Sequence, residues 1–352
     1  MQPRANTLTC LMSNEAKRAR TGVLAGEPPL VVSQHAPAMR RLADDGFAVI
    51  ENVLSPEKCV EYRTSIYAYL RNCGVDMDDP TIKRAQYPNV HGIIQQLEVG
   101  QCNGVWGVRQ EETITDVFAE MFGTNDLLVS FDGVCVMPPH HRDSGKRWLH
   151  VDQSHRKLGR HCIQGYINLT TSHDECSGSL MVIPRSHHRH TGFAQTLSAP
   201  KAEDWYKFEE HELASLGDAE PQRVYGGLGS LVLWDSRTAH QACAPSKQLP
   251  GPARARCVVY VCYQPRAWLT KRGKKTKQAA FSDYRMTTHW PASAVRLFSK
   301  TWRTYGQPLP VNLRPVQRDR VETPRMLELA GMTPLTTRTL RKTHPQIHWD
   351  IQ

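Results

Sequence analysis

Regular alternation of apolar and polar positions begins near residue 39. Met39 to Asp45 has helical spacing and stops at Gly46, and Phe47 to Val53 is an apolar strand. Ser55-Pro56-Glu57 then reads as an N-cap followed by proline at the first helical position. The helix opened there is predicted to run to about Asn72, with Tyr62, Ile66, Tyr69 and Leu70 on one face and Gly74 just beyond its end. A third helix is predicted over Glu111–Phe122, with acidic residues at its N-terminal end and Gly123 after it. From Leu127 the period changes to short β-rich runs at Leu127–Met137, Arg147–Asp152, Cys162–Leu169, Ser179–Pro184, Ser230–Asp235 and Arg256–Gln264. Helices followed by turn-separated strands predict a mainly β fold with flanking helices, an antiparallel sandwich or barrel. The polar stretch Ser186–Gly229, which carries Trp205, Tyr206 and Phe208, is expected to be a partly helical insertion over the barrel mouth.

Composition narrows the class. A chain of 352 residues with 40% hydrophobic and 22% charged positions is neither fibrous nor wholly disordered. The longest apolar run, Cys257 to Tyr263, is far short of the roughly 20 residues of a membrane helix. Residues 1–35 read as a flexible leader with a basic cluster at Lys17-Arg18-Ala19-Arg20 and no apolar core of a secretory signal. The expected compartment is therefore intracellular, cytoplasmic or nuclear, where the ten cysteines would be free thiols. They form no C-x-x-C pair of the kind zinc ribbons and redox motifs use. A net charge of +10 favours anionic partners. Its densest run, Lys271, Arg272, Lys274, Lys275 and Lys277, reads as a basic loop with three open readings: a solvated surface, an anion or nucleic-acid patch, or a nuclear address.

Of the 16 histidines, the informative one is in His150-Val151-Asp152. In a strand, residues two apart project from the same face, so H-x-D sets an imidazole beside a carboxylate. His240, just after the Leu231–Asp235 run, is the best third donor. Two histidines and one carboxylate form the facial triad that holds non-haem Fe(II) with positions left open. His173-Asp174-Glu175 lies in a polar loop, and His348-Trp349-Asp350 has nothing after it to complete a site. His187, His188 and His190 read as a solvated turn, Cys243 as a small packed residue, and Trp106 and Arg109 as core.

If 2-oxoglutarate chelates such an iron, its far carboxylate needs a cation, and arginine offers a permanent charge and a bidentate fork. Arg256 opens the strand after His240 and is preferred to Arg254, which remains open as an alternative. Along Cys162–Leu169, Gln164, Tyr166 and Asn168 share one face, either a polar row beside the metal or the solvated side of an outer strand.

These residues resemble the phytanoyl-CoA dioxygenase (PhyH) family of Fe(II)/2-oxoglutarate oxygenases over roughly residues 40–265. The likeness is carried by Asp45 to Ile50, Trp148 to Gln153, Gly178 to His187, and Gly229 to His240 followed by Arg256. It implies a double-stranded β-helix (jelly-roll) core with helices on one side. It also implies that 2-oxoglutarate and O2 are consumed, succinate and CO2 are released, and a substrate carbon is hydroxylated. By position Tyr166 resembles a family aromatic that packs against 2-oxoglutarate, and Gln164 is a second candidate beside it. The domain is expected over 36–290, helical to about 125 with the β core at about 127–265, and 291–352 as a tail packed on or beside it. The family favours a small-molecule or acyl-CoA substrate; an oxygenase acting on nucleic acid or protein, and a catalytically silent binding module, stay open. One departure stands out: the family's Pro-Gly-Ser-His turn reads Pro184-Arg185-Ser186-His187, which calls for a different backbone if the glycine had positive φ.

Overall fold

A computed structural model describes residues 34–77, 79, 91–139, 141, 145–193, 204–246, 253–299, 314–343 and 345. The leader's basic cluster and His348 lie outside the described residues.

Helix α1 (Ala36–Asp45) ends at Gly46, whose φ of +83° and N–H to the Leu42 carbonyl close the helix in left-handed geometry. A Cβ there would also stand 2.4 Å from Thr238 Oγ1 and 2.5 Å from His187 Nδ1, so conformation and space both select glycine. Strand β1 (Phe47–Ile50) follows, and α2 (Pro56–Asn72) has the bounds its cap predicts, with Ser55 Oγ accepting from the Lys58 N–H. After β2 (Ile93–Ile94) comes α3 (Asn103–Gln110), which sequence pattern missed because Gly104 and Gly107 are poor helix formers. Here they serve packing: a Cβ on Gly104 would lie 2.8 Å from Ile66 Cγ1, and one on Gly107 would lie 2.3 Å from the Tyr62 ring. Helix α4 (Glu112–Phe122) ends at left-handed Gly123.

The strands are β3 (Leu127–Val129), β4 (Val134–Met137), β5 (His150–Val151), β6 (Ile163–Asn168), β7 (Ser179–Val182), β8 (Tyr206–Lys207) and β9 (Gln222–Val224). They continue with β10 (Leu231–Asp235), β11 (His240–Cys243), β12 (Arg256–Val261) and β13 (Tyr263–Pro265). Helices α5 (Lys271–Ser282) and α6 (Pro324–Ala330) complete the order. One sheet runs β1-β10-β6-β12-β4-β2, a second β8-β5-β11-β7-β9, and β13 pairs with β3. Two antiparallel sheets of this order with helices on one side make the jelly-roll core.

Alternation fixes the layers. Phe47, Met137, Tyr166, Val232, Trp234 and Val258 of the larger sheet cluster with Leu180 and Val182 of the smaller one. The intervening Ile163, Ile167, Leu231, Leu233, Cys257 and Val259 pack instead with Ile66, Leu70, Val105 and Phe118 of the helices. The large sheet is thus buried on both faces. The polar row Gln164, Tyr166 and Asn168 is buried with it, so the outer-strand alternative does not hold. The described part of the tail is tied to the helices: Arg314 N–H donates to the Cys73 carbonyl at 3.0 Å, and Arg318 pairs with Glu98 at 2.8 Å.

Four expectations change. The Leu127–Met137 run is two strands rather than one, broken by residues 130–133. The basic run at Lys271–Lys277 is not a loop: Thr270 Oγ1 accepts from the Gly273 N–H and starts α5, and Lys277 is buried, its ammonium on the Val129 carbonyl and 4.1 Å over the Phe131 ring. His187 and His190 are buried rather than solvated, their Nε2 atoms bonding the Ala43 and Gln153 carbonyls. Arg185 keeps a left-handed backbone, φ +66°, with its N–H on the Asp45 carbonyl at 2.8 Å; the turn survives without its glycine, at a cost of order 1 kcal/mol.

Candidate metal centre

Strands β5 and β11 meet at one register pair, His150 opposite His240. Asp152 lies one residue past the end of β5, fixed by its N–H on the Ser236 carbonyl at 2.9 Å. Its Oδ2 is 3.2 Å from His240 Nε2 and 3.8 Å from His150 Nε2. One donor atom from each of the three residues falls within 4.8 Å of the others. The pairing of β11 with β5 is what the sequence pattern could not supply, since it predicts no strand at His240–Cys243.

The donors are set for a cation. His150 Nδ1 lies 3.1 Å from the Trp148 carbonyl and His240 Nδ1 lies 2.8 Å from the Thr238 carbonyl, so each Nδ1–H donates to the backbone and each Nε2 lone pair faces Asp152. Burial, and then the facing His240, push the His150 pKa down to about 3, which keeps its imidazole neutral. Burial works against ionisation of Asp152, but a proton on either adjoining imidazole outweighs it and holds its carboxyl well below the usual carboxylate range, a positive charge that a bound cation would supply instead. Gln164 Nε2 donates to Asp152 Oδ2 at 3.0 Å, so Gln164 orients the carboxylate. Two imidazoles and one carboxylate converging in this way fit Fe(II) with open coordination positions.

The same cavity, about 400 Å³, is lined by Arg256, Tyr166 and Tyr260 as well as by the three donors. Arg256 is buried, 5.0 Å from the Tyr166 ring centroid, with Nη1 2.8 Å from Cys135 Sγ. Among the described residues no carboxylate pairs with it, and its Nε bonds nothing. A buried guanidinium without a counter-charge is costly, and the far carboxylate of 2-oxoglutarate would satisfy it. Arg254, the alternative, is on the surface, paired with Asp174 at 2.5 Å. Asn168 is absent from the cavity lining; its amide bonds the Gly226 carbonyl and Ser230 Oγ. His173 pairs with the exposed Asp174. Sequence reading missed the segment Thr288 to Trp290 with Arg296 and Phe298, all of which line the cavity from beyond the β core.

A jelly roll with a His-Asp-His donor set in its cavity and a buried arginine defines the class of non-haem iron, 2-oxoglutarate-dependent enzymes. Residues 42–248, more than half of the chain, match the model of the family described as phytanoyl-CoA dioxygenase (PhyH), and the chain belongs to that family. It is 29% identical over 266 residues to Ava biosynthesis cluster protein O of Aspergillus versicolor, covering 70% of this chain and 83% of that one. Among solved structures it is similar to the non-haem α-ketoglutarate-dependent carbocyclase SnoK of nogalamycin biosynthesis, at TM-score 0.43 and 16% identity, covering 67% of this chain and 85% of SnoK. HygX of Streptomyces hygroscopicus, with nickel and 2-oxoglutarate bound, gives TM-score 0.43 at 12% identity, with 65% and 86% covered. Among the described residues no helix is long and apolar enough to cross a membrane.

Proposed function

We propose that the protein is an Fe(II)- and 2-oxoglutarate-dependent oxygenase that hydroxylates a carbon centre of a small molecule or acyl-CoA. The observation that carries this reading is the convergence of His150, Asp152 and His240 donor atoms within 4.8 Å in a cavity that also holds Arg256, which meets no carboxylate among the described residues. The bound iron, with 2-oxoglutarate and O2, supplies oxidation of a C–H bond coupled to formation of succinate and CO2. His150, Asp152 and His240 would hold the metal on one side and leave the rest of its coordination to co-substrate and O2. Arg256 would bind the far carboxylate, and Tyr166 would pack beside it. Trp148 stacks on His150 with centroids 4.7 Å apart, and Trp234 lies 5.4 Å from His240, so aromatic rings keep bulk water from the donors. The catalytic domain in this reading spans 36–290, with 291–352 as its tail. Lys271, Arg272, Lys274 and Lys275 stay exposed on helix α5 and only Lys277 is buried, and no observation places a nucleic acid on this face or at the metal cavity, so a nucleic-acid substrate is not carried forward.

Measuring succinate release and O2 uptake with Fe(II) and 2-oxoglutarate tests the reading. Turnover that disappears in His150→Ala is the expected result. Wild-type protein that binds no 2-oxoglutarate would sink the proposal.

A further inference from the structure

Residues 286–298 form a hairpin: Thr287 bridges to Leu297, Thr288 N–H donates to the Arg296 carbonyl at 2.9 Å, and Phe298 N–H donates to the Met286 carbonyl at 3.1 Å. It is fixed to the β core. Thr287 N–H donates to the Phe131 carbonyl, Phe131 N–H donates to Thr287 Oγ1, and Ala292 and Ser293 N–H both donate to Gln264 Oε1. The hairpin lies beyond the 42–248 family match. Three consecutive residues on it line the cavity, and each carries a buried polar atom with no partner among the described residues: Thr288 Oγ1, His289 Nε2 and Trp290 Nε1.

Buried polar atoms are normally satisfied, and three in succession on one rigid wall call for a ligand that satisfies them. Their chemistry says what the ligand brings. The tryptophan N–H only donates, so it needs an oxygen or nitrogen acceptor; the threonine hydroxyl and a neutral imidazole donate or accept, which suits a hydroxyl. Burial lowers the proton affinity of His289 and favours the neutral ring. Aromatic surface completes the cavity, with Trp148, Trp205 and Phe298 offering flat faces. A saturated chain would cover the three polar atoms and pair with none of them.

We propose that this hairpin is the substrate-selecting wall of the site. Thr288, His289 and Trp290 hydrogen-bond the hydroxyl groups of a compact ring-bearing molecule, in preference to an acyl chain. The assignment rests on the oxygenase reading above for the position of the reacting centre, and its test is separate from turnover.

Equilibrium dialysis under nitrogen, on the full chain loaded with Fe(II), compares 7-hydroxycoumarin, coumarin and decanoate, with and without 2-oxoglutarate. The hydroxylated ring is expected to bind at least about tenfold more tightly than either of the others. His289→Leu and Thr288→Val each reduce that preference to under about twofold, while His173→Ala on the exposed loop keeps it. Melting curves of both variants exclude misfolding, and the isosteric Thr288→Val carries the test if His289→Leu melts early. Absent or equal binding of the two coumarins, tighter binding of decanoate, or an unchanged preference in both variants overturns the proposal. Failure of 2-oxoglutarate to bind in the same dialysis counts against the oxygenase reading instead.

Discussion

His150 and His240 are direct cross-strand partners, and their ring centroids are 4.3 Å apart. Opposed side chains in an antiparallel pair start about 4.5–5.5 Å apart at Cβ, so two imidazoles on one face converge without further help from the chain. Backbone carbonyls take both Nδ1–H groups and leave both Nε2 atoms to the cation. Replacing either histidine with alanine therefore removes one of the three converging donors. The expected Fe(II) affinity loss exceeds the roughly 10–100-fold typical of removing an outer hydrogen-bond partner. Anaerobic Fe(II) titration checks it, and a stoichiometric site surviving in His240→Ala would contradict the donor assignment.

Gln164 is such an outer partner, donating to Asp152 Oδ2 at 3.0 Å. Gln164→Ala frees the carboxylate to rotate and is expected to weaken Fe(II) binding by about 10–100-fold. Gln164→Glu places a second carboxylate against the first, which disfavours ionisation of both in the absence of metal. The glutamate variant should therefore bind Fe(II) with a steeper dependence on pH than wild type. Equal affinity of wild type and Gln164→Ala at pH 7 would remove the orienting role.

The pairing of His150 with Asp152 in the proposed metal site was readable because H-x-D carries its geometry locally: two side chains on one face of an extended segment need no knowledge of the rest of the fold. The third donor was reachable from its place after Leu231–Asp235, but its pairing was not, since the β5–β11 register depends on where a short strand lands across the barrel. The layer order was legible in the strict alternation of β6, β10 and β12. Helix α3 was illegible because its glycines lower helix propensity and are explained only by the closeness of α2. The basic run misled for the opposite reason: charge density suggests a solvated loop, whereas lysine and arginine are good helix formers and Thr270 supplies the cap. The hairpin over 286–298 gave no periodic signal, because its role depends on anchors from Phe131 and Gln264 far away in sequence.

Arg256 and Gly178 are coupled by space. A Cβ on Gly178 would sit 2.6 Å from Arg256 Cδ, so Gly178→Ala has to displace the arginine stem. Arg256→Gln is expected to lower 2-oxoglutarate affinity at least about tenfold by removing a charge-assisted pair, and Gly178→Ala to lower it in the same direction. Fe(II) binding should be little changed in both. Added 2-oxoglutarate at about 100 times its Kd stabilises a protein by about 2.7 kcal/mol, so thermal shift reads the effect directly. An undiminished shift in Arg256→Gln would exclude it as the carboxylate clamp.

Glu328 in α6 is fully buried, and its carboxylate accepts from the backbone N–H and the hydroxyl of both Thr336 and Thr337, with Arg325 at 3.2 Å. Burial works against its ionisation, but the four donors outweigh it and lower its pKa from 4.5 to about 2. Because the folded pKa lies below the unfolded one, the stabilisation is fully present above about pH 4.5 and is lost as pH falls towards 2. Glutamine in its place offers one acceptor oxygen and turns an amide N–H2 towards groups that themselves donate. Glu328→Gln is expected to cost about 2 kcal/mol at pH 7 in urea unfolding. The difference from wild type should shrink markedly at pH 3, where the unfolded wild-type carboxyl is protonated and the folded one is still charged. A gap that stays constant between pH 7 and pH 3 would mean that the carboxylate's charge does not hold this end of the chain, and that the threonine hydroxyls serve only as neutral partners.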